Sequence, residues 1–358
     1  MAYFAAEAGV TPLVIDEMSR ELTPRDVIVV FKLFAVLRRL QPAVVHTHKA
    51  KAGAVGRAAA WLYRWCTPSA LALRPRRCAI VHTYHGHVFH GYFGARKSRA
   101  IVAIERLLAR TTDRLVVVSE QQRNEICGRF GVGRPEQFRV VPLGVDVAQE
   151  ARPRGSLRRE LGIEPGTPLV AIVGRLTEVK NHAMFLAAAA RVSAMEDGAC
   201  RAARFVVVGD GHLRAELAAR ARALGIADRV TFTGFRKDAV SLYADFDMVA
   251  LTSVNEGTPV TLIEAMRSGC AVLSTEVGGV VDILGRRGAS LEGFTAWANG
   301  LTAPSEDVET FARALRYLIL HPELRREMGE QGSRFVAEKL SVARLLGDVG
   351  DLYAELLH

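Results

Sequence analysis

Short apolar runs alternate with stretches of helical periodicity along nearly the whole chain, and this alternation limits the fold more than any other feature. Residues 43–48, 79–84, 115–119 and 138–143 read as buried strands, with helices over 27–40, 52–65, 98–109 and 121–130. Pro42 ends the first of these helices, since proline has no backbone N–H to continue it. The Arg- and Pro-rich stretch 149–155 interrupts the pattern and reads as a linker. The alternation then resumes, with strands at 169–173, 205–208, 230–233, 248–251 and 271–274. Helices are expected to start at His182, at Leu213, near Ala239 and at Pro259. Apolar strands separated by amphipathic helices predict an α/β protein whose mostly parallel sheets are covered on both faces. At 358 residues the chain can bury two such cores, so two doubly wound units in tandem are expected. From Val308 onward the sequence is helical, broken at Pro322, with a last helix over 342–357. Ligands of such sheets bind at the carboxyl ends of the strands, which puts the expected site in the cleft between two units.

The start of the chain departs from this scheme. Residues 1–9 read as helical and 12–15 as extended, whereas a doubly wound unit opens on a strand and a glycine-rich turn. The first strand of the first unit is therefore expected to be missing, through an internal start or a truncation.

Charge is shared unevenly. Residues 1–150 hold 22 Lys and Arg against 12 Asp and Glu, while the remainder holds 25 against 26. A basic half predicts a polyanionic partner: nucleic acid, an anionic membrane surface or a phosphorylated acceptor. Nucleic acid is disfavoured, because the arginines are dispersed and no nucleic-acid-binding motif accompanies them. Cys66, Cys78, Cys127, Cys200 and Cys270 lack metal-ligand spacing and read as reduced thiols of a cytoplasmic protein. No apolar run reaches bilayer length and no signal peptide is visible. Trp61, Tyr63 and Trp65, among Arg57, Arg64, Arg74, Arg76 and Arg77, form an aromatic and basic patch suited to peripheral contact with the inner membrane face, although core packing would account for the tryptophans equally.

Residues 252–269 concentrate the chemistry. Glu256 lies in a loop after an apolar strand, Pro259 suits a first helical turn, and Glu264 lies inside the helix. Gly257 and Thr258 could present backbone N–H groups to a phosphate at the helix start. Arg175 and Lys180 follow the strand at 169–173 and place two cations at the carboxyl edge, where they could neutralise a leaving diphosphate. Gly209, in Val208-Gly209-Asp210-Gly211, marks a close backbone approach but not a dinucleotide fingerprint. His46, His48, His82, His85 and His87 end two strands of the first half, and His85 is the candidate for the reacting centre. These histidines have no acidic or cysteine partner at ligand spacing, so hydrogen bonding is preferred over a metal site.

Taken together, Gly174-Arg175…Lys180-Asn181-His182, Val208-Gly209-Asp210-Gly211, Thr233-Gly234-Phe235, Glu256-Gly257-Thr258-Pro259…Glu264-Ala265-Met266 and Val277-Gly278-Gly279 resemble the family 4 retaining glycosyltransferases of the GT-B fold. Residues 142–146 resemble the family's interdomain Pro-Asn-Gly-Val-Asp, with Leu143 in place of Asn. The resemblance implies an acceptor-side Rossmann-like domain over 1–148, a nucleotide-sugar domain over 149–340 and a helix over 341–358 crossing back to the first domain. It implies Arg175 and Lys180 on the donor diphosphate, Glu264 on the ribose, Glu256 on the transferred sugar, Gly257 and Thr258 near the phosphates, and His85 near the anomeric centre. Neither a cofactor nor a catalytic metal is implied. Residues 46–53 and 84–89 are similar to bacterial members that build surface polysaccharides on lipid carriers. The implied reaction is retaining transfer from a nucleotide-sugar, expected to be UDP-linked, to a lipid-linked or glycan acceptor. A sugar-nucleotide epimerase of the same fold and an inactive nucleotide-sugar-binding module are the alternatives.

Overall fold

The structure, a computed structural model, describes residues 9–18, 23–68, 74–85, 95–145 and 155–358. Nearly all of the helix expected over 1–9 and of the linker over 149–155 lies outside these residues. Residues 12–15 form no strand. The chain separates into two compact units, one holding the described residues up to Val117 with 123–140 and 351–358, the other holding 118–122 and 141–350.

Up to Val140 the chain forms, in order, α1 (Asp26–Leu40), β1 (Val44–His48), α2 (Ala50–Trp65), β2 (Ala79–Tyr84), α3 (Ala95–Ala109), β3 (Arg114–Val117), α4 (Glu120–Arg123) and β4 (Phe138–Val140), all of the first unit except most of α4. The strands are all parallel, in the order β1-β2-β3-β4. The helix expected over 121–130 is not uniform. After α4 it widens into a π-helical turn, Asn124–Arg129, in which the Phe130 N–H donates to the Glu125 carbonyl at 3.0 Å.

A buried ion pair ties this unit together. Arg57 is fully buried and its Nη2 donates to both oxygens of Glu105, at 2.9 and 2.8 Å. Arg57 Nε donates to the Gly53 carbonyl at 3.0 Å, and Tyr84 OH donates to Glu105 Oε2 at 2.7 Å. Burial and the adjacent carboxylate push the Tyr84 phenol well above its usual range. This corrects the expected surface patch at two of its residues. Arg57 and Tyr63 are core residues, the Arg76 guanidinium lies 4.4 Å from the Tyr63 ring centroid, and Arg64 binds Asp113, which leaves Trp61 and Trp65 exposed.

The second unit comprises α5 (Ser156–Glu160), β5 (Leu169–Val173), α6 (His182–Ser193), α7 (Gly198–Ala202), β6 (Arg204–Val208), α8 (Arg214–Ala223), β7 (Val230–Gly234), α9 (Ala239–Leu242), β8 (Met248–Leu251), α10 (Val260–Arg267), β9 (Ala271–Thr275) and α11 (Val280–Ile283). A meander, β10 (Arg287–Leu291), β11 (Phe294–Trp297) and β12 (Gly300–Ala303), precedes α12 (Val308–Leu320), α13 (Pro322–Lys339) and α14 (Val342–Leu357). The sheet order is β10-β11-β12-β9-β8-β5-β6-β7, with β11 antiparallel to both of its neighbours and all other pairs parallel. Its strands alternate cleanly between two cores. Val170, Ile172, Phe205 and Val207 pack in one, Ala171, Val206, Val249 and Leu251 in the other, so both faces are covered. Because β5 pairs with both β6 and β8, the chain reverses its winding direction between β5 and β8, and the loops leaving these two strands open a crevice at their carboxyl ends. Among the described residues no helix is long and apolar enough to cross a membrane.

Removing one member of a buried ion pair strands the other charge. Glu105→Ala is expected to destabilise the first unit by about 3–5 kcal/mol, with much of the loss recovered in Arg57→Met/Glu105→Leu. Urea unfolding followed by circular dichroism checks both; a Glu105→Ala midpoint equal to that of the native chain would contradict the structural role.

Candidate functional site

At the crevice of the second unit, loops after β5, β6, β8 and β9 are joined backbone to backbone. The Gly174 N–H donates to the Val208 carbonyl at 2.9 Å and the Leu176 N–H to the Asp210 carbonyl at 3.0 Å. Gly209 has φ +137°, and a Cβ there would lie 1.9 Å from the Gly174 carbonyl oxygen. The close approach expected at Gly209 is thus to the neighbouring loop.

The β5 and β8 loops are fastened in the same way. Thr252 Oγ1 donates to the Asn181 carbonyl at 2.9 Å, and the Val254 N–H donates to the Val179 carbonyl at 2.9 Å. Asn181, at φ +46°, caps α6 through its side chain on the Met184 N–H. Lys180, held between these bonds, donates from Nζ to Glu256 Oε1 at 2.6 Å. Ser253 Oγ donates to the same oxygen at 2.5 Å. Glu256 and Gly257 rest on the turn after β9, where the Gly279 N–H lies 3.3 Å from the Glu256 carbonyl and 3.1 Å from that of Gly257. A Cβ on Gly278 would come within 1.8 Å of the Glu256 carbonyl oxygen.

The other expected residues fall around this pair. Pro259 immediately precedes α10 rather than opening its first turn. The N–H groups of Gly257 and Thr258 donate to no acceptor among the described residues. Arg175 is exposed and its guanidinium makes no hydrogen bond or ion pair among them. Glu264, half-buried in α10, accepts from Tyr243 OH at 2.9 Å; burial raises its pKa and that hydrogen bond partly offsets the rise. The crevice therefore offers one unpaired guanidinium, one ammonium paired with a carboxylate, two unused amides and a second carboxylate. Such a set can receive a diphosphate and hydrogen-bond sugar hydroxyls.

The burial of one residue escaped the sequence reading. His182, the first residue of α6, is 98% buried with neither ring nitrogen hydrogen-bonded among the described residues. Burial, helped by Lys180, lowers its pKa to about 4, so the ring is neutral. Its position directly after the capping Asn181 was the available signal.

In the first unit the histidines do gather at the carboxyl end of β1 and β2. His48 Nδ1 and His85 Nε2 are 2.9 Å apart, and the His46 ring stacks on His48 with centroids 4.4 Å apart. His46 also bonds Thr83 Oγ1 at 2.7 Å and Tyr353 OH at 2.6 Å. His82 is buried beneath Gly53, where a Cβ would meet its ring at 2.2 Å. Burial and mutual repulsion depress His46 to about 4; His48 is lowered by burial and by His85, and His85 by burial and Lys49. His85 is thus a neutral, exposed imidazole at neutral pH. His87 lies outside the described residues, among which no group of three or more His, Cys, Asp and Glu is placed to hold a metal.

Comparison with known proteins gives these loops a context. Residues 153–335 match the model of the glycosyl transferases group 1, and residues 4–149 that of glycosyltransferase family 4. The chain belongs to the family 4 glycosyltransferases. Its sequence is 26% identical over 339 residues to the UDP-Gal:alpha-D-GlcNAc-diphosphoundecaprenol alpha-1,3-galactosyltransferase of Escherichia coli, covering 93% of this chain and 80% of that protein. It is 32% identical over 292 residues to the D-inositol 3-phosphate glycosyltransferase of Nocardia farcinica, covering 75% of this chain but only 60% of that relative's length. The Anabaena protein Alr3699/HepE, solved in complex with UDP, superposes with a TM-score of 0.78 at 19% identity, over 99% of this chain and 88% of that one. The fold is accordingly GT-B.

Two outcomes follow from the geometry of this glycosyltransferase. Gly278→Ala must push the Glu256 loop aside and is expected to cost about 1–3 kcal/mol of stability while weakening nucleotide binding at least as much as it weakens the fold; wild-type binding, read by calorimetry, would contradict the packing. The buried histidines titrate lower in the folded chain than their ordinary 6.5, so the unfolded state binds more protons below that value. The melting temperature is expected to fall as pH drops from about 7 towards 4, and a pH-independent melt over that window would contradict the neutral, buried assignment.

Proposed function

We propose that this glycosyltransferase transfers a sugar, with retention of anomeric configuration, from a UDP-sugar to a lipid-linked acceptor in the building of a cell-surface glycan. The observation that carries the reading is the set at the β5–β8 crevice: exposed Arg175, Lys180 on Glu256, and the unused amides of Gly257 and Thr258. The UDP complex of the Anabaena protein supports the choice of nucleotide, and the diphosphoundecaprenol acceptor in the E. coli relative's name supports the choice of acceptor.

In this reading residues 149–340 form the donor domain and 1–148 the acceptor domain. Before the donor arrives, Glu256 neutralises Lys180 and holds it in place. An incoming diphosphate competes for the ammonium, so Lys180 exchanges carboxylate for phosphate and Glu256 is released to accept a hydroxyl of the sugar. Arg175 and the two amides add fixed positive charge where the leaving diphosphate develops its own, which lowers the barrier without a metal. Glu264 accepts from the ribose while Tyr243 holds its second oxygen. His85, kept neutral, is assigned to the sugar end of the donor. The basic first half favours work at an anionic membrane surface on the cytoplasmic side.

Glu256→Ala and His85→Ala are each expected to lower kcat/KM with a UDP-sugar and a lipid-linked diphosphate acceptor by about 10²-fold or more, with melting curves unchanged. Turnover is expected to survive EDTA. Near-normal activity in Glu256→Ala would remove the donor-site assignment, and a loss in EDTA restored by one divalent ion would replace the fixed cations with a metal.

A further inference from the structure

Helix α3 carries an unusual surface. Among its exposed residues are Arg96, Lys97, Arg99, Ile104, Arg106 and Leu107, and Arg110 follows directly. Its single acidic residue, Glu105, is buried on Arg57, so the solvent face is basic and apolar with no carboxylate. Ile104 is 48% and Leu107 62% exposed.

A depression of about 350 Å³ lies at the end of this helix, lined by Arg106, Arg110, Arg134 and the backbone of Gly131 and Gly133, with Gln137 as its floor. Buried Gln137 builds it. Its Nε2 donates to the carbonyls of Ala109 and Thr112 at 3.0 and 2.7 Å, while its Oε1 accepts from the Arg134 N–H at 2.9 Å. That one amide brings Arg134 beside Arg110. Arg106 is fixed by two bonds to the Phe130 carbonyl, at 2.9 and 2.7 Å. Neither the Arg110 nor the Arg134 guanidinium has a partner among the described residues, and the nearby Glu136 does not line the depression.

We infer that the solvent face of α3 docks on an anionic phospholipid surface, with a lipid phosphate seated among Arg106, Arg110 and Arg134. Arginine forks match phosphate oxygens, and Ile104 and Leu107 can enter the boundary between headgroups and acyl chains, as an interfacial helix requires. A soluble phosphate would use the arginines but leave those apolar side chains in water. A nucleic acid would be served by aromatic platforms, which this face lacks. The inference rests on the proposed lipid-linked acceptor, since it is the membrane location of that acceptor that a docking face would serve.

The test is sedimentation of the full chain with vesicles of phosphatidylcholine, with and without phosphatidylglycerol. Binding is expected only with phosphatidylglycerol, falling about tenfold or more in Arg110→Glu/Arg134→Glu and clearly in Leu107→Asn, with unchanged melting curves and unchanged UDP binding. Unaltered vesicle binding in both variants would overturn the docking face, as would equal binding to pure phosphatidylcholine. Calorimetry with inorganic phosphate separates the remaining source: saturable phosphate binding lost in the double variant, without any vesicle binding, would make this a soluble-anion site and overturn the membrane role. Loss of UDP binding in the native chain would instead strike the donor-site reading and leave the vesicle result to stand alone.

Discussion

Contact between backbones at the carboxyl edge of the second sheet is the constraint on which the rest depends. A polypeptide loop can lie directly on another only where no Cβ intervenes, and Gly209 on Gly174 and Gly278 on Glu256 meet that condition, since a Cβ at either would lie 1.9 or 1.8 Å from the facing carbonyl oxygen. These two contacts fix the loops that carry Arg175, Lys180 and Glu256. The hydroxyls of Thr252 and Thr275 complete the fastening, the latter donating to the Ser253 carbonyl at 2.6 Å. A rigid set of loops lets the chain hold like and unlike charges at chosen distances without spending binding energy on ordering them.

Electrostatic balance at these loops follows from that rigidity. Lys180 is neutralised by Glu256, whereas Arg175 is left in solvent, so these loops present one exposed guanidinium and one ammonium held by a carboxylate. The first unit uses the opposite device. Its histidines His46, His48 and His85 are crowded, and partial burial together with neighbouring imidazoles or Lys49 disfavours their charged forms, which leaves hydrogen-bonding imidazoles rather than a cluster of cations. The only strongly buried charges of that unit described here, Arg57 and Glu105, cancel each other.

Most strands were legible because strands covered on both faces must be continuously apolar, and β2, β5 and β8 fall where the apolar runs lie. The meander β10–β11 was not legible. Four of the five β10 residues are exposed, so Arg287 to Leu291 carries neither an apolar run nor an alternation. Arg57 and Tyr63 were wrongly included in the surface patch for a different reason. Helical periodicity puts Arg57, Trp61 and Trp65 on one face, but the partner that draws Arg57 inward, Glu105, is 48 residues away and invisible to any local pattern. At the site, motif order singled out Arg175, Lys180, Glu256 and Glu264, whereas the direct pairing of Lys180 with Glu256, 76 residues apart, needed the fold. His182 was placed at a helix start and in the motif, but that its ring would be buried without a partner needed the packing of the fold, since the capping Asn181 before it was the one local signal.

The most direct test of the donor crevice is a calorimetric titration of UDP into the native chain, into Lys180→Ala and into Lys237→Ala, a lysine on the loop after β7 that takes no part in the proposed site. The account predicts one saturable site in the native chain and in Lys237→Ala, with affinity at least about tenfold weaker in Lys180→Ala, as befits loss of a charge-assisted bond to phosphate. Equal affinity in all three would place the nucleotide elsewhere and contradict the account.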